Sequence, residues 1–251
     1  MNDITIRRPV QWLSAEETNV GCVRPLNEDS ILSRPEIGLW TVADGMGGHD
    51  AGSVASKMII DSLNEVVDKK HLNDLVTCIE DKIIDVNQRI LKYSEMMLEG
   101  RIVGSTVISL IIKGRVGVCL WAGDSRLYRY SKGSLQQLTC DHSHVSELLK
   151  QGAISLEEAE NHPEGNVITR AVGTYEDLYI DIETFEVRVG DIFLLCSDGL
   201  YNSVEKEGIM RCLRENNIEV AVNQLIETSL SNNAADNVSV VVVKGIHRNR
   251  I

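Results

Sequence analysis

Aromatic residues are scarce in this 251-residue chain, at 4% of the sequence, so any core must be built mainly from Ile, Val and Leu. No internal repeat, low-complexity tract or linker is visible. The span 1–251 therefore reads as one domain, within the ~200–250 residues that double-sheet folds occupy as a single unit. No stretch approaches the roughly 18 apolar residues of a membrane span. Met1–Arg8 is polar and lacks the apolar segment of a secretory leader. Basic residues are outnumbered, 25 Lys and Arg against 37 Asp and Glu, for a formal net charge of -12. Such a chain lacks the basic surface that nucleic-acid binding needs. None of the six cysteines is paired as C-x-x-C and most lie in apolar runs, which predicts buried free thiols of a reducing compartment. These absences predict a cytoplasmic protein with no membrane or nucleic-acid partner, a monomer by default. Three phosphate-handling chemistries are also missing. No Cys has an Arg at the C-x₅-R spacing, no G-x₄-G-K-[ST] loop is present, and no Gly-rich nucleotide loop with its Lys occurs.

What is present is a long alternation of short apolar runs and helical periods. Ile31–Leu32 and Gly38–Ala43 suit buried strands, each ended by turn residues. Ala51–Val67 and Leu72–Leu98 place apolar residues three and four apart, as amphipathic helices do. Strands are predicted at Thr106–Ile112, Val116–Trp121, Arg126–Tyr130 and Leu135–Leu138, with hairpin turns at Lys113-Gly114 and Lys132-Gly133. Asp141–Gly173 is polar and partly helical, either a small inserted lobe or an ordinary surface helix and loop. Strands resume at Leu178–Val187 and Asp191–Cys196, helices at Glu205–Glu215 and Ile218–Ser229, and a last strand at Asn237–Lys244. Runs of strands broken by a helix pair point to two packed sheets with helices outside.

Acidic residues recur at the ends of these strands: Glu28-Asp29, Asp44-Gly45, Asp198-Gly199 and Asp236-Asn237, with Asp124 between two strands. Each Asp-Gly reads as a buried strand delivering a carboxylate to its tip, with the glycine turning the chain. Taken singly, such a pair is usually only a turn. Five in one chain suggest convergence, and converging carboxylates repel unless cations neutralise them. Oxygen-only ligands favour hard ions such as Mg²⁺ or Mn²⁺. Two such ions ~3.5–4 Å apart can activate a water between them for in-line attack on phosphorus. Arg24, just before Asn27 and Glu28, is suited to grip a phosphate through two parallel hydrogen bonds.

Arg24–Asp29, Val42–His49, Gly104–Thr106, Gly123–Arg126, Ile168–Gly173, Cys196–Leu200 and Asp236–Val240 occur in an order that resembles the PP2C-like (PPM) serine/threonine protein phosphatases, in their bacterial form, from about Thr18 to Lys244. The resemblance implies an α+β fold, an α-β-β-α sandwich of two antiparallel sheets flanked by helices, with 141–173 as a flap beside the active site. It implies hydrolysis of phosphoserine and phosphothreonine with Mn²⁺ or Mg²⁺, two core ions and a third, weaker one. By resemblance, Asp44 bridges the core ions and Gly45 offers its carbonyl. Asp198 and Asp236 ligate the first ion, Glu28 holds water on the second, and Asp29 supports the site. Asp124 joins Asp198 at the third ion, and Arg24 binds the substrate phosphate. Animal members place a His directly after the Asp-Gly. Here that position is Met46, so His49 becomes the candidate general acid, in competition with water on a third ion, and equally a helix-capping residue.

His142, His144 and His162 read as surface or packing residues. The implied partner is a phosphorylated protein and the serine/threonine kinase that made it. Trp12, the run Gly38–Asp44 and the chain length are similar to the phosphatases of type VI secretion clusters. Two alternatives differ in class: a pseudophosphatase that binds phosphoproteins without turnover, and an esterase acting on small phosphoesters.

Overall fold

The structure, a computed structural model, describes residues 10–48, 51–160, 162–165 and 167–247. Its strands are β1 (Val10–Asn19), β2 (Asp29–Arg34), β3 (Leu39–Met46), β4 (Gly104–Ser105), β5 (Val107–Lys113), β6 (Val116–Ala122), β7 (Arg126–Ser131), β8 (Ser134–Gln137), β9 (Asp181–Glu186), β10 (Ile192–Cys196) and β11 (Val238–His247). They form two wholly antiparallel sheets, one ordered β1-β11-β10-β7-β8 and the other β2-β3-β5-β6-β9, with β4 paired to β3. The helices are α1 (Ala51–Asn64), α2 (Leu72–Met97), α3 (His144–Lys150), α4 (Leu156–Glu160), α5 (Asp198–Ser203), α6 (Lys206–Leu213) and α7 (Ile218–Ser231).

Three apolar layers hold this stack together. Between the sheets lie Trp40, Val42, Ile108 and Leu110 from one and Leu127, Phe193, Leu195 and Val241 from the other. Outside the six-stranded sheet, Leu75, Ile79, Ile83, Val86 and Ile90 of α2, spaced three and four apart, pack with Ala55 and Ile59 of α1. Outside the five-stranded sheet, Ile209, Val222, Leu225 and Ile226 of α6 and α7 cover Leu194, Val240 and Val242. The central strands are thus buried on both faces. That is why β10 and β11 read as continuous apolar runs rather than as alternating ones. The α-β-β-α sandwich follows.

The sequence pattern missed three elements, the two-residue β4 and two larger ones. β1 is a ten-residue strand along an edge of the five-stranded sheet, paired with β11 from Val10↔His247 to Asn19↔Val238. Glu16 and Glu17 interrupt its apolar period, which an edge strand with a wet face tolerates. α5 begins at Asp198, where only a turn was expected.

Among its described residues the segment 141–173 carries α3 and α4 and no strand. Its base is closed by the Ser143↔Ile168 bridge and by Thr169 N–H donating to the His142 carbonyl at 2.8 Å. Among the described residues no helix is long and apolar enough to cross a membrane. All six cysteines are free, but only Cys119, Cys196 and Cys212 are buried. Cys22 and Cys140 are exposed, contrary to the expectation from their sequence context.

Candidate active site

The acidic residues meet at one end of the sandwich, because antiparallel neighbours begin and end there. Asp29 opens β2 and stands directly opposite Asp44 of β3. Asp198 follows the end of β10, Asp236 precedes β11, and Asp124 lies in the turn from β6 to β7. Asp44, Asp124, Asp198 and Asp236 line a single cleft of about 530 Å³ together with Arg24, Leu26, Glu28, Gly45, Met46 and Ile168. His49 lies outside the described residues.

Two local expectations need correction. Asp44 is not at a strand tip, since β3 continues to Met46 and Gly45 still pairs with Ser105. The glycines that follow Asp44 and Asp198 do not turn the chain either. They are required by close approach. A Cβ on Gly45 would stand 2.2 Å from the Gly52 carbonyl oxygen, and one on Gly199 would stand 2.0 Å from that of Asn237. Backbone packs against backbone here, drawing the start of α1 against β3 and α5 against the start of β11.

Each acid is held differently. Asp29 is buried beneath the cleft, not in its lining. Its Oδ2 accepts from Ser197 Oγ and Ser239 Oγ, both at 2.7 Å, and its Oδ1 is buried without a hydrogen-bond partner. Asp44 is fixed through its backbone. Its N–H donates to Thr106 Oγ1 at 3.0 Å and its carbonyl accepts from Thr106 N–H at 2.8 Å. Glu28 Oε1 accepts from Gly52 N–H at 3.1 Å, in the first turn of α1, where the helix dipole favours a negative charge. Asp198 Oδ2 accepts from Asn202 at 3.1 Å, while its Oδ1 is buried with no hydrogen-bond partner. Asp236 receives Arg24 Nη2 on Oδ2 at 2.7 Å, and the Arg24 side chain is 54% exposed at the cleft rim.

The electrostatics are those of carboxylates crowded together. Burial, and then the charges of Asp29, Asp198 and Asp124, push the Asp44 carboxyl well above its ordinary range. Burial followed by Asp124 and Asp236 does the same to Asp198. Asp124 is pushed up to about 6, by burial and then by Asp141. Protein cations offset this repulsion only in part: Arg24 acts from the rim, and Arg126, forked onto Asp141, opposes the upward shift of Asp124 without cancelling it.

Several residues that organise the site carry weak sequence signals. Asn237 accepts Glu28 N–H on Oδ1 at 2.8 Å and donates to the carbonyls of Val20 and Leu26, both at 2.9 Å. It thereby shapes the loop that presents Arg24. Ser197, Ser239 and Thr106 are buried polar residues inside apolar runs. That is the physical cue, because buried polar groups need partners, and each also lies within a motif that carries the family resemblance. His142 is a packing residue. Its Nδ1 accepts from Gly123 N–H at 3.1 Å, its ring stacks on Trp121, and burial foremost holds its pKa below the usual value. His144 and His162 are neighbouring rings in the flap, away from this cleft.

The donor set fits hard divalent cations. Two buried carboxylate oxygens lack partners, the ligands offered are all oxygen, and the mutual repulsion calls for positive charge. Among the described residues, no three His, Cys, Asp or Glu side chains form a ready cage around one ion. Ions of the Mg²⁺ type need none, because they keep several waters and take one or two carboxylates each.

Comparison with known proteins agrees with this geometry. The chain is 36% identical over 229 residues to the serine/threonine protein phosphatase PstP of Mycobacterium tuberculosis, which covers 91% of this chain but only 44% of that protein. It is 35% identical over 237 residues to the serine/threonine phosphatase stp of Listeria monocytogenes, covering 90% of this chain and 93% of that one. Among solved structures, PppA, a key regulatory component of the type VI secretion system in Pseudomonas aeruginosa, superposes with TM-score 0.88 at 38% identity, over 96% of this chain and all of that one. The PstP catalytic domain in complex with two manganese ions superposes with TM-score 0.85 at 33% identity, over 94% and 99% of the two chains. The sequence profile described as Protein phosphatase 2C matches residues 25–234. With that span, those identities and this shared architecture, the chain belongs to the protein phosphatase 2C family, in its bacterial branch.

Proposed function

We propose that this chain is a protein serine/threonine phosphatase, which hydrolyses phosphoserine and phosphothreonine on protein substrates with Mn²⁺ or Mg²⁺ as cofactor. One observation carries the reading: five carboxylates, Glu28, Asp44, Asp124, Asp198 and Asp236, come from places far apart in the chain to line one cleft, with a guanidinium at its rim. Asp44, Asp198 and Asp236 would hold the core ions, with the Gly45 carbonyl beside Asp44. Glu28 would orient water toward them, Asp29 would stiffen the floor, and Asp124 with Asp198 would take a third ion. When bound, the ions supply Lewis acidity toward water and phosphate oxygens, and they neutralise an acidic cleft that would otherwise repel a phosphate.

Arg24 has the remaining work of recognition. Its planar fork of N–H donors matches two phosphate oxygens, and its exposure lets it meet a residue on a protein surface. Leu26, Met46 and Ile168 line the same cleft and give the substrate chain apolar contacts. His49 is assigned proton delivery to the leaving alkoxide on its sequence position and intrinsic pKa alone. The whole span 1–251 acts as one unit and as a monomer. Six free cysteines suit a reducing cytoplasm. The likeness to PppA supports a finer role, reversal of a cognate kinase's threonine phosphorylation in type VI secretion.

Hydrolysis of p-nitrophenyl phosphate and of phosphothreonine peptides tests this. Activity should vanish in EDTA and return with Mn²⁺. Metal-independent turnover, or sugar phosphates outrunning the peptides, would overturn the proposal.

A further inference from the structure

The turn that carries Asp124 is gripped by its backbone from two sides. Tyr201 Oη donates to the Asp124 carbonyl oxygen at 3.1 Å. From the flap base, His142 Nδ1 accepts Gly123 N–H at 3.1 Å, and His142 N–H donates to the Gly123 carbonyl at 3.0 Å. The peptide groups on both sides of Asp124 are therefore fixed, while its carboxylate lines the cleft beside Asp198.

Tyr201 lies three residues after Asp198 on α5. At that spacing two side chains share a helix face. The helix thus bears one carboxylate and, about a turn further on, the phenol that fixes its neighbour. The phenol is itself held in place. The Arg126 guanidinium carbon lies 3.4 Å from the Tyr201 ring centroid. Arg126 in turn is forked onto Asp141, with contacts at 3.1, 3.0 and 2.7 Å. Burial holds the Tyr201 pKa far above its ordinary value, so the group stays a donor. This chain of contacts, Asp141 to Arg126 to Tyr201 to Asp124, explains why an aromatic residue with a hydroxyl occupies the second turn-facing position of α5.

We propose that Tyr201 is a positioning residue that sets the separation of the Asp124 and Asp198 carboxylates, and through it the affinity of the divalent cation they share. The proposal rests on reading both as ligands. Tyr201→Phe removes the hydroxyl and keeps the ring under Arg126, so the fold should persist. Calorimetric titration of the metal-free protein with Mn²⁺ should show the weakest ion bound roughly two- to tenfold less tightly, the range expected from one hydrogen bond. The melting temperature in EDTA should fall only by what one lost hydrogen bond to a buried carbonyl costs. KM for a phosphothreonine peptide should be unchanged, and the rate should recover at higher Mn²⁺. A purely structural tyrosine would give the same loss of stability and leave the titration as it was, and an unchanged titration would overturn the proposal.

Asp124→Asn separates the two levels of the argument. If it binds every ion as wild type does, the ligand reading fails and the Tyr201 role with it. If it loses an ion that Tyr201→Phe retains at full affinity, only the Tyr201 role fails.

Discussion

Asp198 is a poor residue for folding and a good one for chemistry. Its Oδ1 has no hydrogen-bond partner, and burial plus the neighbouring carboxylates disfavour its charge. Asp198→Asn removes a charge from a crowded cleft, so the metal-free variant should melt at a higher temperature than wild type in EDTA at pH 8, measured by scanning fluorimetry. Its turnover should fall by more than the ~10–100-fold that losing an outer partner of a metal site costs. A variant that is both no more stable and fully active would contradict this account. Thr106 shows the opposite economy. Its hydroxyl accepts the Asp44 N–H and bonds to Ser125 Oγ at 2.7 Å, in a site 1% exposed. Thr106→Val keeps the shape and strands that N–H. Urea unfolding should show a loss of about 1–3 kcal/mol, the cost of leaving a buried polar group unpaired.

At the scale of elements, the site is set by how closely strands and helices approach. β3 and the start of α1 meet at Gly45 and Gly52, and α5 meets the segment leading into β11 at Gly199. Gly199→Ala would put a methyl group 2.0 Å from the Asn237 carbonyl oxygen, so backbone must move. Asn237 also orders the Arg24 loop, so the shift should propagate there. We expect about 1–3 kcal/mol lost in urea unfolding, as for overpacking elsewhere, together with a raised KM for phosphopeptide. Unchanged values for both would mean that α5 has more freedom than its packing implies. The glycine after each Asp read as a turn residue in sequence, and its actual reason was not legible there. A turn glycine and a close-approach glycine look alike in sequence, and only the φ value and the facing carbonyl separate them.

For the whole molecule, the consequence of gathering carboxylates is a dependence of stability on pH. Asp29, Asp44, Asp124 and Asp198 all have folded-state pKa values raised above the unfolded range, chiefly by burial. A raised carboxyl pKa means that the folded state binds more protons than the unfolded state between the two values. That stability is complete below the unfolded pKa and is lost as pH rises through the folded one. In EDTA the melting temperature should therefore fall between pH 5 and pH 8. Mn²⁺ should raise it more at pH 8 than at pH 5, because protons compete with the ion for the same oxygens. Melting curves across that window check both statements, and a flat metal-free profile would mean that burial and neighbouring charge do not raise these carboxyls in solution.

The sequence by itself determined the layers and which acids stand beside the strands. Apolar runs buried on both faces, helices with a 3.6-residue period, and acids beside strands are local patterns, and each survives in the fold. Tertiary structure alone decided which oxygens remain available. By local pattern Asp29 and Asp198 are both acids beside strands, yet two serines take one oxygen of Asp29 beneath the floor while Asp198 lines the cleft. It also decided that β1 closes an edge and that Tyr201 reaches Asp124. These depend on contacts between residues tens to hundreds of positions apart, and a local period carries no information about which distant group will arrive opposite.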